Sequence, residues 1–367
     1  MIELFYGTRQ RFRYRHGDVN LLGRTHLGPP VVRSHYVLNG GPPRPFYVEP
    51  EPPGGGSSRP LGTRSPSIIR LSDRPGHFNV EIPVDSPELA VGANDVELSI
   101  RHEGEETEVL RAGFDWDDRP LPAALSLDVS NGAVLQDVAQ VVDGRFELGP
   151  GGVIRTVEPV GADVLLLIGS PHGSQEATYD VRFGGKEGTF VGLSDFFVAH
   201  HELDPGLGIK PGYSSAGLAT IRPGRWAEAW LLHGALLEGK DWDWPWTLSR
   251  IRPLLRRIRP GIPYRVRHQV LFAEGVNLVR FRIWRKGTPE PRTWTCEEHD
   301  ADLDDGLERH REGSFGLCQY GGRPTEWSNI RLRPLEVDEE TRRRLAATRS
   351  PLRGQCGSAM VAKRRFK

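Results

Sequence analysis

The chain has 367 residues, and its 48 Lys and Arg balance its 48 Asp and Glu to a formal net charge of zero. That balance excludes the bulk attraction that nucleic-acid and membrane-surface proteins use, and no run approaches the roughly 20 apolar residues of a bilayer span. With 43 Gly and 30 Pro but few segments of helical period, the composition predicts an all-β chain of short strands and many turns. The length suits two domains.

Residues 1–116 form the first predicted domain. The runs VVRSHYVLNGG and FNVEIPV alternate apolar and polar residues, which is typical of half-buried strands. Further on, Leu89, Gly92 and Asn94 precede the run VELSI. This turn and strand resemble the end of bacterial immunoglobulin-like or cadherin-like modules, and the resemblance implies an immunoglobulin-like β-sandwich. The Pro/Gly/Ser-rich segment 49–66 is predicted to be a mobile insertion.

Residues 117–337 form the second predicted domain, with about twelve strands. Its clearest element is a β-hairpin, in which YRVRHQVLF and LVRFRIWRKG alternate on either side of a Gly/Asn loop at 273–277. Trp294 follows, and the runs GSFGL and NIRLRPLE close the domain. This ending resembles the jelly rolls of the concanavalin-A-like lectin/glucanase superfamily, nearest its laminin-G-like and keto-disaccharide-hydrolase-like branches. The resemblance implies a jelly roll larger than the first domain, of a kind that binds or cuts glycans.

The chain ends and the cysteines set further expectations. Residues 338–367 are predicted to be a basic, mostly disordered tail with a short helix at most. The N-terminal stretch MIELFYGTRQRF lacks the apolar core of a signal peptide. The expectation is therefore a cytoplasmic protein, or an extracellular one if the chain is a mature fragment. The three cysteines are too few and too scattered for a disulfide framework or a metal cluster.

An aromatic segment gives the first candidate site. Five of the nine tryptophans fall close together: Trp226, Trp230, Trp242, Trp244 and Trp246. The last three alternate with Asp241, Asp243 and Pro245, so an extended chain places the three rings on one side. Flat rings beside carboxylates suit sugars, whose C–H faces stack and whose hydroxyls donate hydrogen bonds. The alternative is that the rings pack in the core or seal the sandwich edge, and this reading is favoured for Trp226 and Trp230.

A basic face on the hairpin gives secondary ligand-binding candidates. Arg280, Arg282 and Trp284 share one side of their strand, and Arg265 and Arg267 share a side of the other. Like charges facing each other across strands are unfavourable, so this face requires anions. A neighbouring strand or the acidic loop 296–308 supplies them in the favoured interpretation, in which the face is solvated or internally paired. The alternative is a groove for uronic-acid or sulfated sugars.

Whether the chain could hydrolyse a glycan depends on its carboxylates. A retaining glycosidase needs two carboxyl groups about 5 Å apart. The family pattern of closely spaced acids has one literal match, at Glu336, Asp338 and Glu340, but it follows the last predicted strand and runs into a helical pattern, so it is interpreted as a coincidence. If the chain is an enzyme, which the sequence leaves open, the catalytic candidates are Asp241, Asp243 and Glu202.

No cofactor is required by any motif, although Ca²⁺ has a candidate site in the acidic loop. Its oxygens come from Asp300, Asp302 and Asp304, without EF-hand spacing. The function predicted from the sequence is recognition of a poly- or oligosaccharide, with an acidic glycan as one option and no nucleic-acid partner. The alternatives are a glycoside hydrolase of the same superfamily and a non-catalytic structural or adhesive module.

Overall fold

The computed structural model is built of β-strands, short turns and one α-helix. No helix within the part of the chain it describes is long and apolar enough to cross a membrane. The described residues are 1–13, 18–50, 75–127, 135–137, 139–157, 163–185, 189–195, 214–223, 226–232, 246–251, 258–273, 276–300, 311–320 and 322–348.

The strands up to Trp116 form two facing sheets. They are β1 (Glu3–Leu4), β2 (Arg9–Phe12), β3 (Asp18–Arg24), β4 (Val31–Leu38), β5 (Arg44–Pro45), β6 (Tyr47–Val48), β7 (His77–Pro83), β8 (Gly92–His102) and β9 (Glu108–Trp116). One sheet has the order β1-β3-β7-β6, and the other has the order β2-β9-β8-β4-β5, with β2 parallel to β9. Val80 and Ile82 of the first sheet share a buried cluster with Leu98 and Ile100 of the second. We call this unit the first sandwich. Its immunoglobulin-like identity stays a prediction.

The turn at 89–94, which resembles that of immunoglobulin-like modules in sequence, is held by the buried side chain of Asn94. The Oδ1 atom of Asn94 accepts the Ala90 N–H at 2.8 Å, and its Nδ2 donates to the carbonyls of Ala90 and Gly92 at 2.8 and 2.9 Å. Gly92 has φ of +94°, a conformation that favours glycine. The spacing of Leu89, Gly92 and Asn94 therefore encodes a turn that satisfies its own backbone where β8 begins.

The strands from Leu125 onwards form two larger sheets, which we call the second sandwich. They are β10 (Leu125–Ser126), β11 (Ala139–Asp143), β12 (Phe146–Gly149), β13 (Val153–Thr156), β14 (Asp163–His172), β15 (Gln175–Arg182), β16 (Thr189–Asp195), β17 (Ser214–Arg222), β18 (Trp226–Leu232), β19 (Trp246–Ile251), β20 (Pro263–Ala273), β21 (Val276–Arg285), β22 (Cys296–His299), β23 (Gly313–Tyr320) and β24 (Glu326–Pro334). The seven-stranded sheet has the order β11-β14-β23-β16-β17-β18-β19. The eight-stranded sheet has the order β12-β13-β24-β15-β20-β21-β22, with β10 paired to β24.

The predicted hairpin is present as β20 and β21. Their register is antiparallel from Tyr264 opposite Arg285 to Ala273 opposite Val276. The two sides of the hairpin differ in burial. Val266 and Phe281 are fully buried on the inner side. The arginines that alternate with them are partly exposed on the outer side. The period-two pattern of the sequence is thus the pattern of burial.

The core of the second sandwich lies between its two sheets. Leu166 and Phe315 from the seven-stranded sheet join Tyr179, Val266 and Phe281 from the eight-stranded sheet in one buried cluster. Each fully buried large apolar side chain contributes about 1.5–3 kcal/mol relative to an exposed one. The all-β sandwich class predicted from the composition is confirmed by these sheets.

Polar contacts join the two sandwiches. The Phe146 N–H donates to Oη of Tyr6 at 2.9 Å, and the amide of Gln136 donates to the buried amide oxygen of Gln10 at 2.7 Å. Burial raises the pKa of the Tyr6 hydroxyl, so that it stays protonated. Leu22 of β3 also belongs to the core cluster of the second sandwich. The two units therefore meet through a packed contact as well as through the chain between Trp116 and Leu125.

The predicted tail begins with an ordered helix, α1 (Glu339–Thr348). Asp338 caps it, because its Oδ1 accepts the Thr341 N–H at 2.6 Å. That hydrogen bond lowers the pKa of the Asp338 carboxyl. The acidic match at 336–340 therefore supplies a helix N-terminus, in agreement with its interpretation as a coincidence. Residues 349–367 and nearly all of the predicted insertion 49–66 lie outside the described residues.

Candidate functional site

The structure places the sequence-predicted ligand residues on different sheets. Trp246 is the first residue of β19, an edge strand of the seven-stranded sheet, whereas Arg280, Arg282 and Trp284 belong to β21 of the eight-stranded sheet. These sets do not share one sheet face. The other site candidates lie outside the described residues, and they are Asp241, Trp242, Asp243, Trp244, Glu202, Asp302 and Asp304.

The seven-stranded sheet has an outer face, defined as the side turned away from the eight-stranded sheet. Ala229 of β18 is fully buried in the core between the sheets. Because a strand alternates sides, residues 226, 228 and 230 occupy the outer face. The positions of Trp226, Glu228 and Trp230 therefore share this face. The interpretation that both tryptophans pack in the core or seal the sandwich edge stays a prediction.

Cross-strand pairs extend this outer face across the sheet. Trp230 lies opposite Leu218 on β17, and Leu218 lies opposite Gly192 on β16. Gly192 in turn lies opposite Gly316 on β23. Gly316 is buried, and so is Leu167 opposite it on β14, which means that the outer face is covered at this end of the row.

A second row of the outer face carries charge. Glu228 lies directly opposite Thr220 on one side and Arg250 of β19 on the other. Next to this row, Trp246 lies opposite Leu232. The positions of three tryptophans, Trp226, Trp230 and Trp246, therefore share the outer side of β18 and β19 with those of Glu228 and Arg250.

The outer side of the eight-stranded sheet carries the arginines, and we call it the Arg face. Glu176 of β15, only 2% exposed, lies at one end of it. It accepts from Nε of Arg333 at 2.8 Å, from Nη1 of Arg267 at 3.3 Å and from the amide of Gln269 at 2.5 Å. Burial alone would raise the pKa of this carboxyl, but the hydrogen bonds and the two arginine charges lower it overall. Glu176 is therefore held as an anion.

Asp180 lies four residues after Glu176 on β15, at the other end of the Arg face, and it also accepts hydrogen bonds from basic side chains. It accepts from Nε of Arg265 at 2.7 Å, from Nζ of Lys286 at 2.7 Å and from the amide of Asn329 at 2.6 Å. Burial opposes ionisation, yet these donors lower the pKa of Asp180. The neighbouring strand thus supplies an anion for the basic hairpin.

The loop between β21 and β22 covers the middle of the Arg face. The ring of Trp294 lies over the guanidinium groups of Arg280 and Arg282, with centroid distances of 4.5 and 4.0 Å. Glu290 from the same loop accepts from Arg282 at 2.8 Å and from Arg267 at 2.9 Å. Cation–π contacts of this kind strengthen when they are shielded from water.

The Arg face is therefore internally paired, as the favoured interpretation predicted. Its partners come mainly from β15 and the loop carrying Glu290, while the acidic loop contributes Glu297, 3.5 Å from Arg280. Arg280 and Arg282 keep 15% and 20% of their side chains exposed. Trp284 is half-buried and lies opposite Arg265.

Asp300 is the one calcium candidate within the described residues. It is fully buried, and its Oδ1 accepts the Asn277 N–H at 2.6 Å. That contact joins the end of β22 to β21. Within the described ranges no group of three or more His, Cys, Asp or Glu is arranged to hold a metal ion. The calcium site stays a prediction.

The opposition of Glu228 and Arg250 was not predicted from the sequence. The signal was present in the run Trp226-Ala227-Glu228-Ala229-Trp230, where small residues alternate with the two rings and the acid. Small residues at every second position are typical of a strand side that packs closely against another sheet, which leaves the large ones on the other side. The pairing with Arg250 depends on strand register and needed the structure.

No protein-family model and no curated protein matches this chain. Among solved structures it is similar to the lectin UEA-II complexed with galactose, with 12% identity, a TM-score of 0.33, and coverage of 58% of this chain and 98% of that chain. It is similar to the Crh5 transglycosylase in complex with NAG, with 9% identity, a TM-score of 0.37, and coverage of 59% and 86%. It is also similar to the Bacillus licheniformis β-glucanase, with 7% identity, a TM-score of 0.35, and coverage of 59% and 100%. This is a likeness of fold, and it gives no residue of this chain a role.

Proposed function

We propose that this chain recognises a poly- or oligosaccharide on the outer face of the seven-stranded sheet. The observation that carries the proposal is the register of β18, in which Trp226, Glu228 and Trp230 share the face opposite buried Ala229. Indole rings stack on the apolar C–H faces of sugars, and a carboxylate accepts hydrogen bonds from hydroxyl groups. This combination suits a sugar better than an apolar ligand or a bare anion.

The Trp/Asp segment belongs to the same proposal. Residues 241–245 lead directly into β19, whose first residue, Trp246, lies opposite Leu232 of β18. We therefore propose that Trp242, Trp244 and Trp246, with Asp241 and Asp243, border this face. Their rings would extend the stacking surface beyond Trp230.

A neutral glycan fits the proposal better than an acidic one. An acidic ligand would have to compete for Arg280 and Arg282, whose guanidinium groups already contact Glu290, Glu297 and the ring of Trp294. Exchanging such charge-assisted pairs for a ligand returns little net free energy, because each pair formed replaces one that is lost.

The test is affinity electrophoresis of the intact chain in gels that contain neutral or acidic polysaccharides. We expect a neutral polysaccharide to retard the wild type, and Trp226→Ala and Trp230→Ala to lose that retardation while melting near the wild-type temperature. Each stacking ring should contribute about 0.5–1.5 kcal/mol beyond its area burial. Chromatography of the incubated glycan separates binding from hydrolysis, since new reducing ends would reveal the glycosidase alternative. No retardation on any polysaccharide would contradict the proposal and leave the structural or adhesive module.

A further inference from the structure

We propose that the first sandwich carries a site for a phosphate group on the outer face of its five-stranded sheet, the side turned away from the four-stranded sheet. The inference goes beyond the proposed function, because it concerns the other sandwich and another class of ligand. Ile100 of β8 is buried in the core between the two sheets, so Arg101 lies on the outer face. Arg33 of β4 lies directly opposite Arg101, and both side chains are exposed. Directly opposed residues have Cβ atoms about 4.5–5.5 Å apart, so the two guanidinium groups reach the same patch of surface.

A β-bulge in β4 creates this pair. Val31 lies opposite His102 and Arg33 lies opposite Arg101, so Val32 is an extra residue between them. In a regular register Val32 would lie opposite Arg101, and Arg33 would turn towards the inner side of the sheet. Bulges re-aim side chains in this way, and they are over-represented next to active sites. The fold thus brings two like charges together where regular pairing would keep them apart.

The two charges are not neutralised by the protein. Within the described part of the chain, neither Arg33 nor Arg101 has a hydrogen-bond or ion-pair partner. Another arginine of the same face, Arg111 of β9, is already paired, because its Nε donates to Glu97 at 3.0 Å. Like charges directly opposite each other are destabilising. An anion with two negative charges would remove the repulsion between Arg33 and Arg101, so its binding is favoured at this point.

The next row of the same face adds polar groups. Ser99, two residues before Arg101 on β8, lies opposite His35 of β4 on one side and Val109 of β9 on the other. Ser99 is 5% exposed and Val109 is 51% exposed, so the serine forms the floor of a depression between taller side chains. The imidazole of His35 is half-buried, and its Nδ1 has no hydrogen-bond partner among the described residues. A hydroxyl and an imidazole therefore lie beside the two guanidinium groups.

Charge and shape then set the ligand class. Arg33 and Arg101 carry two positive charges, and a phosphate monoester carries about −1.5 to −2 at pH 7. Its three terminal oxygens point in different directions, so they can accept hydrogen bonds from both guanidinium groups and from the Ser99 hydroxyl together. A carboxylate has one charge and two oxygens in one plane, and a single guanidinium already engages both of them. The patch therefore fits a phosphate group better than a carboxylate.

The experiment titrates the intact chain with inorganic phosphate, glucose 6-phosphate and acetate, and follows binding by calorimetry at low salt. We expect inorganic phosphate to bind about tenfold or more tightly than acetate, because it engages both guanidinium groups. Its affinity should fall as the salt concentration rises, because the site is exposed. Equal affinities for inorganic phosphate and glucose 6-phosphate would assign a phosphate ester to the site, whereas binding of inorganic phosphate alone would assign the free ion. Acetate that binds as tightly as phosphate, or no binding of either phosphate probe, overturns the proposal.

The variants test the pair itself. Arg33→Gln and Arg101→Gln each leave one guanidinium group, and we expect either change to weaken phosphate binding about tenfold or more. The matched control is Arg111→Gln, because Arg111 lies on the same face, is 85% exposed and is already paired with Glu97. We expect the control to bind phosphate as the wild type does. Equal weakening by Arg111→Gln would reveal a general effect of net charge and would overturn the site.

Melting curves give a second measurement. Without phosphate, Arg33→Gln should melt at or slightly above the wild-type temperature, because the change removes a like-charge contact. Saturating phosphate should raise the melting temperature of the wild type by mass action and leave that of Arg33→Gln nearly unchanged. The same rise in both proteins would contradict the proposal. This outcome is independent of the proposed glycan site, because both arginines belong to the first sandwich.

Discussion

His268 should make the second sandwich labile to mild acid. It lies on β20, opposite Ala177 of β15 and Phe281 of β21, and it is 2% exposed. Its ring packs edge-on against Phe281 and Phe315, at centroid distances of 6.4 and 6.2 Å. Neither ring nitrogen has a hydrogen-bond partner in the structure. A charged imidazolium in these surroundings would be desolvated without compensation, and burial therefore lowers the pKa of His268 from 6.5 to about 3.

The size of the effect follows from linkage. The unfolded chain takes up the proton near pH 6.5, whereas the folded protein takes it up near pH 3. The contribution of neutral His268 is therefore fully present above pH 6.5 and is lost as the pH falls towards 3. At 1.36 kcal/mol per pH unit, the free energy of unfolding should fall by about 2–3 kcal/mol between pH 6.5 and pH 4.5 from this residue alone.

The assay is urea unfolding of the wild type and His268→Leu at both pH values. Leucine fills a similar volume and does not titrate, so we expect the variant to lose about 2–3 kcal/mol less than the wild type over this interval. Equal losses of unfolding free energy in the wild type and in His268→Leu would refute the reasoning, because all other titratable groups are the same in the two proteins.

Three further changes test the packing. A Cβ on Gly144 would overlap the side chain of Val164, whereas Gly151, with a similar positive φ, has open space around it. In both alanine variants the left-handed backbone costs about 1–2 kcal/mol. Gly144→Ala should nevertheless lower the melting temperature clearly more than Gly151→Ala. Equal shifts in melting temperature would contradict the packing described here. Tyr6→Phe leaves a buried N–H of the second sandwich without its acceptor and should cost about 1–3 kcal/mol in urea unfolding; an unchanged midpoint would mean that the two sandwiches are not joined there. Asp338→Ala should speed hydrogen exchange in the first turn of α1, and unchanged exchange would remove the cap.

Local patterns were predictable because their physical cause is local. The hairpin β20–β21 follows from period-two alternation, and the turn at the start of β8 follows from a glycine and an asparagine at fixed spacing. Each of these elements satisfies its own backbone or buries its own apolar side, so neighbouring residues suffice to reveal it.

Partners that come from distant parts of the chain were not predictable in detail. The need of the Arg face for anions was readable from its charges, but Glu176 and Asp180 reach it from β15, which is about 90 residues before the hairpin. The opposition of Glu228 and Arg250 likewise depends on the register of β18 with β19. A shift of one residue in that register would exchange the two sides of the strand, and the sequence alone does not fix it.

The central claim is that the outer face of the seven-stranded sheet, and not the Arg face, binds a glycan. The most direct test compares Trp230→Ala with Trp284→Ala in affinity electrophoresis against the polysaccharide that retards the wild type most. Trp230→Ala should migrate as it does in a gel without polysaccharide, and Trp284→Ala should be retarded as the wild type is. Full retardation of Trp230→Ala together with free migration of a folded Trp284→Ala would place the ligand on the Arg face and contradict the claim.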